Sequence, residues 1–483
     1  MVLSCFDRFP DCTAAVIGDI MIDIYLHGDV SRISPEAPVP VIRWQSESAS
    51  PGGAANVAAN IAALGARAIL IGLAGDDLEG RESLIRLCER SGRVDVSGIV
   101  RDPSRPTIRK MRVMGHRQQI ARIDREGTHA ADEWIEDALI AKSIEAIDAC
   151  DVVILSDYGK GALTDRVLAE TIGYARAKRK PVIVDPKRRD FAAYSGASII
   201  TPNRQELTLA TGLKCDSDLE AAAAAAAAHA ACGADVLLTR SERGMSFFPL
   251  DGTPLHLPAV RRDVFDVSGA GDTVVAVLAT ALAAKLPIAE AIKASNYAAG
   301  IVVGRSGTAT LTREELIAAF STTLVEDKPD GRLVDLEEAK LLRRLWQNQG
   351  FTVGIANGCF DIIHPGHISL IRQATQACDR LIMALNTDAS VRRLKGQTRP
   401  AQKEVARAEV IGAIKGVALV VLFNEDTPYN LISALQPDVL IKGADYTEDQ
   451  VAGADIVRAR GGKILLAELT EGHSTTRLLE AAQ

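Results

Sequence analysis

Two short runs in this chain carry residues suited to phosphate chemistry. At residues 266–273 stands D-V-S-G-A-G-D-T, followed at once by an apolar stretch from 274 to 284. Gly269, Ala270 and Gly271 can turn backbone N–H groups into one space at the start of a helix, where unpaired donors and the helix dipole attract an anion. Asp272 falls in the first turn, where the same field favours its ionised form. An ionised Asp beside a phosphoryl acceptor can take the proton from an attacking hydroxyl. At residues 358–367 stands G-C-F-D-I-I-H-P-G-H, with His364 and His367 framing a Gly at the start of another helix. Nucleotidyl transfer to an already ionised phosphate needs little general base. It needs donors at the α-phosphate and a cation on the leaving pyrophosphate. A histidine pair at i and i+3 can also share a metal. No H-E-x-x-H and no carboxylate triad accompanies this one, so no metal ligand is assigned.

Positioning these residues requires a scaffold that ends strands in polar loops. Residues 12–318 alternate apolar β-rich runs (14–17, 68–72, 152–156, 182–185, 198–201, 236–239) with helical patterns (54–64, 164–178, 206–212). Such alternation predicts a mainly parallel sheet covered by helices, with ligands beyond the carboxyl ends of the strands. Two strands end in polar clusters, Asp185-Pro186-Lys187 and Thr201-Pro202-Asn203-Arg204-Gln205-Glu206. Residues 24–44 and 107–124 alternate differently and predict a small side sheet acting as a lid. The alanine run 221–228 predicts a solvent-facing helix. Periodicity is lost at 321–335, where charge, Pro and Gly accumulate. The expected division is therefore a first domain over 1–320, a linker and connecting helix over 321–350, and a second domain over 351–483. The second domain repeats the β-α logic with strands at 352–356, 381–386, 417–423, 439–442 and 463–466, and a helix at 367–377.

Composition narrows the classes. The chain has 483 residues, 47% hydrophobic and 24% charged, with a formal net charge of −7. That balance disfavours nucleic acid or an anionic membrane as partner. Eight scattered cysteines without C-x-x-C or zinc spacing, and no apolar leader, predict a cytoplasmic protein with reduced thiols. The apolar run 274–284 is too short to span a bilayer and predicts a buried helix. Gly18-Asp19-Ile20-Met21 follows the first strand where a dinucleotide site would need G-x-G-x-x-G.

The run D-V-S-G-A-G-D-T, with P-G-G-A-A-N-V-A at 51–58, resembles the two signatures of the ribokinase-like sugar kinases, although that family more often has Thr where Ser268 stands. The resemblance implies a ribokinase-like doubly wound α/β sheet with a small β lid. It implies Asp272 as catalytic base and Gly269, Ala270 and Gly271 as the anion hole. Asp23, Gly52, Gly53 and Asn56 would be sugar-side residues. Asn203, Arg204, Gln205 and Glu206 would face ATP and Mg²⁺, with Ser241 and Gly244 in the nucleotide-side turn. The second half resembles the cytidylyltransferase-like nucleotidyltransferases, with a Rossmann-like fold. There the resemblance implies catalytic roles for His364 and His367. It implies nucleotide contacts from Gly358, Phe360, Asn386, Asp388, Lys395, Arg407, Gly443, Asp445, Ser474 and Thr475. Relatives with T-E-G-x-S-T-T often carry Arg before that motif, where Leu469 stands here.

Over nearly its whole length the chain resembles the family of bifunctional heptose 7-phosphate kinase and heptose 1-phosphate adenylyltransferases. This implies ATP as substrate of both halves, with Mg²⁺ and, as a further candidate, K⁺. The expected product is ADP-heptose for the lipopolysaccharide core. A kinase product phosphorylated at C1 and C7 cannot enter the second step directly. No strand-ending phosphatase motif is present, because Asp216-Ser217-Asp218 lies in a helix-loop region. A separate phosphatase is therefore expected as a pathway partner, and the resemblance favours a homodimer through the lid. Lys187, Arg188, Arg189, Arg109 and Arg112 are the cations considered for the 7-phosphate, Lys187 being chosen as substrate-binding. The rival readings are another sugar or polyol phosphate with CTP in the second half, and a binding module with one degenerate half.

Overall fold

The computed structural model describes residues 5–115, 118–260, 266–305, 307–326, 331–348, 350–443 and 447–468. Packing divides the chain into two units, residues 4–317 and 318–483.

In the first unit the strands are β1 (Thr13–Ile33), β2 (Pro40–Gly53), β3 (Arg67–Gly75), β4 (Val94–Asp102), β5 (Ile108–Gly115), β6 (Gln118–Arg125), β7 (Val152–Ser156), β8 (Val182–Asp185), β9 (Ile199–Ile200), β10 (Asp235–Thr239), β11 (Met245–Phe248) and β12 (Leu255–Leu257). The main sheet runs β12-β11-β10-β9-β8-β7-β1-β3-β4. It is parallel except where β11 and β12 pair antiparallel. The expected doubly wound sheet is present. Its buried strands are continuous apolar runs because helices cover both faces, as parallel sheets require.

The lid forms differently from its expected short strands. β1 does not stop at residue 17. It continues out of the main sheet and pairs with β2 antiparallel and with β5 parallel. β6 then pairs with β5. A single 21-residue strand thus ties lid to core, and this continuity explains why no dinucleotide-type turn follows residue 17. The alanine run also departs from its expectation. In the helix Asp218–Cys232, capped by Ser217 and Glu220, Ala221, Ala224, Ala225 and Ala228 are buried against the core. Spacing of three and four puts these small side chains on one face, where they let the helix approach closely. The helix Ala270–Ala283 is buried nearly all round, as expected.

Among the described residues the second unit has six strands, β13 (Arg332–Val334), β14 (Val353–Gly358), β15 (Arg380–Asn386), β16 (Val417–Phe423), β17 (Val439–Gly443) and β18 (Lys463–Ala467). They form one parallel sheet in the order β13-β16-β15-β14-β17-β18. The order reverses beside β14, the switch point at which open α/β sheets bind ligands. The segment expected as linker contributes β13 as an edge strand of this sheet. The helix Leu336–Asn348 also belongs here: Arg343 on it donates to Gln436 O and Asp438. Charge and Pro at 321–335 hid a strand too short to show alternation.

Candidate functional site

In the first unit the two signatures meet by a direct bond. Asn56, on the helix Ala54–Ala63, donates from Nδ2 to Asp272 Oδ2 at 2.6 Å, across 216 positions of chain. Asn60, one turn on, donates to Asn56 O and accepts from Thr273 Oγ1. Two glycines permit this approach. Gly53 has φ +56°, and a Cβ there would lie 2.5 Å from Asp19 O. Gly269 has φ +76°, and its Cβ would lie 2.8 Å from Asn56 Nδ2. L side chains resist both conformations. At Gly271 a Cβ would meet nothing within 4 Å, which leaves open space over the start of the helix Ala270–Ala283, as an anion site requires.

Asp272 is buried. Burial pushes its carboxyl up to about 6, opposed by hydrogen bonds from Asn56 and Tyr158, with Asp23 adding to the rise. The helix field was expected to favour the ionised form, but desolvation outweighs it. A value near 6 suits a general base working near neutrality. Asp23 lies on the lid part of β1, buried, with Arg112 Nη1 at 2.5 Å. A Cβ on Gly52 would stand 2.5 Å from Asp23 Oδ2, so that glycine makes room for the carboxylate.

Beyond the ends of β7, β8, β9 and β10 lies a cavity of about 220 Å³. Asp185, Lys187, Asn203, Glu206, Thr239 and Gly271 are among its walls. Asn203 and Glu206 form a reciprocal capping box on the helix Arg204–Thr211, so their i, i+3 spacing serves the helix end and also presents both side chains to the cavity. Among the described residues no group of three His, Cys, Asp or Glu could hold a metal alone. Asn203 and Glu206 fit a Mg²⁺ that keeps waters and phosphate oxygens as its other ligands. Arg204 pairs with Glu242 and Gln205 is exposed. Ser241 has φ +52° in the turn after β10. A Cβ on Gly244 would lie 2.1 Å from Leu257 O, so this glycine serves the approach of two chain segments.

The cations considered for a distant phosphate separate clearly. Lys187 is exposed and pairs with Glu206 at 3.1 Å, on the cavity side with Asn203 and not beside Asp23. Its placement argues against the substrate role expected for it. Arg188 is spent on Asp157, Asp165 and Leu163 O, Arg109 on Glu79, and Arg189 is exposed. Arg112 is the one of the five that reaches Asp23. Tyr158, absent from the expected site residues, donates from its phenol to Asp272 Oδ1 at 2.7 Å. Nothing in its neighbourhood in sequence signals this, because the contact joins positions 114 apart.

In the second unit, β14 delivers Gly358 to the bend of the chain. Phe360 takes φ +45°, and its ring lies 3.0 Å from where a Cβ on Gly358 would stand. His364 is the N-cap of the helix Pro365–Ala377, with Pro365 in the first turn. Its ring stacks on that of His367 with centroids 3.7 Å apart, and Phe360 packs against His367 at 5.0 Å. Burial, then His364 and Lys395, pushes the His367 imidazole down to about 4, so it is neutral at physiological pH. Its Nδ1 is buried without a protein partner. An open cavity of about 530 Å³ adjoins His364, with Ile368 and Arg372 on its wall. Arg372 was not foreseen, although the 364, 368, 372 spacing puts these residues on one helix face.

Arg407 stands apart from its expected phosphate role. Its side chain is wholly buried, and its guanidinium donates to Gln402 O, Cys359 O, Asn386 O and Asp388 Oδ1. Every arm is spent on the scaffold, so Arg407 locks the loops that carry Asn386 and Asp388. Asn386 in turn donates to Ser390 Oγ. Replacement of Arg407 by Ala leaves the carbonyl of buried Asn386 and the half-buried Asp388 carboxylate without this donor and is expected to cost about 1–3 kcal/mol. Thermal unfolding monitored through second-unit activity should show it, with first-unit activity unaffected. Lys395 is exposed at the end of the helix Asp388–Lys395, and Gly443 is buried at the end of β17. Asp445, Ser474 and Thr475, with Leu469 and the T-E-G-H-S-T-T run, lie outside the described residues.

Comparison with known proteins agrees with this division. The pfkB family carbohydrate kinase pattern matches residues 13–315, and the cytidylyltransferase-like pattern matches residues 355–480. A protein of Azorhizobium caulinodans named "Bifunctional protein HldE" is 52% identical over 97% of this chain and 98% of its own length. A protein of the same name from Gluconobacter oxydans is 50% identical over 99% of both chains. Among solved structures, Arabidopsis thaliana ribokinase with ribose and ATP aligns at TM-score 0.52 and 20% identity, over 64% of this chain and 98% of its own. Escherichia coli phosphofructokinase-2 aligns at TM-score 0.55 and 18% identity, with the same coverages. At that identity the two structures speak for the fold of the first unit alone. The whole-length likeness decides the family: the chain belongs to the bifunctional HldE proteins, a pfkB carbohydrate kinase joined to a cytidylyltransferase-like domain.

Proposed function

We propose that the chain carries out two steps of ADP-heptose synthesis. The first half phosphorylates D-glycero-β-D-manno-heptose 7-phosphate at C1 with ATP. The second transfers AMP from ATP to D-glycero-β-D-manno-heptose 1-phosphate, releasing pyrophosphate, and the product serves the lipopolysaccharide core. The bond between Asn56 and Asp272 supports the kinase step most directly, since it joins the sugar-side loop to the base.

In the kinase step Asp272 takes the proton of the C1 hydroxyl as its oxygen bonds to the γ-phosphorus. The bond to the β,γ-bridging oxygen breaks, and its electron pair leaves with ADP. Backbone N–H groups of Gly269 and Gly271 meet the charge in flight, whereas that of Ala270, expected to join them, is bonded to Val267 O at 3.3 Å. Mg²⁺ held through Asn203 and Glu206 would neutralise charge on the β- and γ-phosphates. In the second step the sugar phosphate oxygen attacks the α-phosphorus of ATP and pyrophosphate leaves. His364 and His367, desolvated at a helix start, donate hydrogen bonds to the charge that builds there.

Mass spectrometry of products from ATP with heptose 7-phosphate, and separately with heptose 1-phosphate, tests the reading. Absence of the 1,7-bisphosphate in the first reaction, or CTP outrunning ATP in the second, would sink it. The near-full-length HldE likeness does not favour the CTP alternative. ADP-heptose formed from the 7-phosphate without added phosphatase would remove the proposed separate phosphatase. In its favour, Asp218 of the D-x-D run is spent on Arg240. K⁺ activation of the kinase half is checked by replacing KCl with choline chloride.

The protein is further proposed to be cytoplasmic and a homodimer through the lid. No described helix is long and apolar enough to cross a membrane. β2 and β6 are the outer lid strands; Trp44 on β2 stands exposed at 68%, as do Ile123 on β6, Ile33 at the end of β1 and Val39 just before β2. Such open edges and apolar side chains invite pairing. Trp44→Glu is expected to halve the mass seen in sedimentation, and an unchanged mass would place the contact elsewhere.

A further inference from the structure

We propose that Tyr158 is a positioning residue of the kinase step, a standing hydrogen-bond donor that aims Asp272 and holds it in its base-competent form. The inference rests on the kinase reading.

The loop that carries Tyr158 is built to keep it in place. Asp19, on β1, accepts the backbone N–H groups of Tyr158 at 2.9 Å, Lys160 at 2.9 Å and Ala162 at 3.1 Å. Arg105, itself in a buried pair with Asp102, donates to Lys160 O at 2.9 Å. Gly159 has φ +64° and Gly161 φ +93°, and a Cβ on Gly161 would lie 2.0 Å from His129 O. The side chain so placed reaches into the wall of the ATP-side cavity and ends on Asp272 Oδ1. The other carboxylate oxygen is held by Asn56. Each oxygen of the base therefore has one fixed donor, and each keeps a lone pair for the incoming proton.

The charges around Asp272 make this donor matter. Asp23 faces it from β1 and is itself paired with Arg112 from β5. Asp185 faces it from the end of β8, with Glu206 and Lys187 behind. Burial and Asp23 both favour the protonated acid, and the donors Asn56 and Tyr158 oppose them. The phenol keeps its own proton because burial, Asp272 and Asp185 all disfavour a phenolate. During transfer Tyr158 loses nothing, since the acceptor's proton goes to Asp272 and the electron pair leaves with ADP.

The test is the pH profile of kcat/KM for heptose 7-phosphate in the full chain, with adenylyl transfer to heptose 1-phosphate as control. Tyr158→Phe should lower kinase turnover about tenfold at pH 8 and move the acid limb up by about one unit. The loss at pH 6 is then larger, and adenylyl transfer is unchanged. Incorporation of 3,5-difluorotyrosine at 158, a stronger donor of the same shape, should move the limb down. Should the Phe variant lose its first-unit fold, the fluorinated protein decides alone. A limb midpoint that stays put in the folded variants overturns the inference. Failure of the unmodified chain to form the bisphosphate would overturn the kinase reading instead.

Discussion

Asp272→Asn is expected to lower kinase turnover about 10³-fold, within the range for removing a positioned general base, while adenylyl transfer by the same protein continues at its original rate. An amide at 272 keeps the size of the side chain but cannot take a proton. The unmodified protein should show a kinase acid limb near pH 6. Asp272 must be ionised to act, its carboxyl is pushed up to about 6 by burial, and activity therefore falls as pH drops through that value. Coupled assay of ADP release across pH measures both effects. An Asn variant that kept a tenth of its rate would make Asp272 a helix-end residue and not the base.

The converse loss is expected from His367→Ala, about 10²–10³-fold in adenylyl transfer with kinase activity retained, the scale for removing one donor to developing charge. The unmodified second half should show no acid limb from His367 between pH 6 and pH 8. Burial and its neighbours push that imidazole down to about 4, so it stays neutral throughout the window. Pyrophosphate release followed over that range is the measurement. A limb near pH 6.5 that vanished in the Ala variant would mean the ring is solvated and charged during turnover.

Much of the scaffold was legible because local rules governed it. The strands at 152–156 and 182–185 appear at their expected bounds as β7 and β8, since uninterrupted apolar runs between turn residues have few alternatives. The helix after the glycine loop, and the histidine pair opening the other helix, follow from the same local logic. The lid was half legible. Its alternating runs identified it, but not that β1 passes unbroken from core to lid, because nothing local distinguishes a strand that continues from one that turns. The alanine helix misled because Ala is equally at home on the surface and in a close contact, and only the neighbour decides which.

The candidate site divides in the same way. Residue types and spacing singled out Asp272, His364 and His367 as candidates, since a glycine loop before an Asp and a His-x-x-His at a helix start both place polar groups where a phosphate can sit. What tertiary structure alone decided was how the other polar groups are spent. Arg407 was expected at a phosphate, yet folding encloses its guanidinium among carbonyls. Lys187 was expected at the sugar, yet it turns to Glu206. Tyr158 drew no expectation and donates to Asp272. A long polar side chain goes where burial and partners drawn from distant parts of the chain make its hydrogen bonds strongest. Those partners are set by the assembled sheet, so the chemistry could be read along the chain, while the assignment of each charge had to await its neighbours in space.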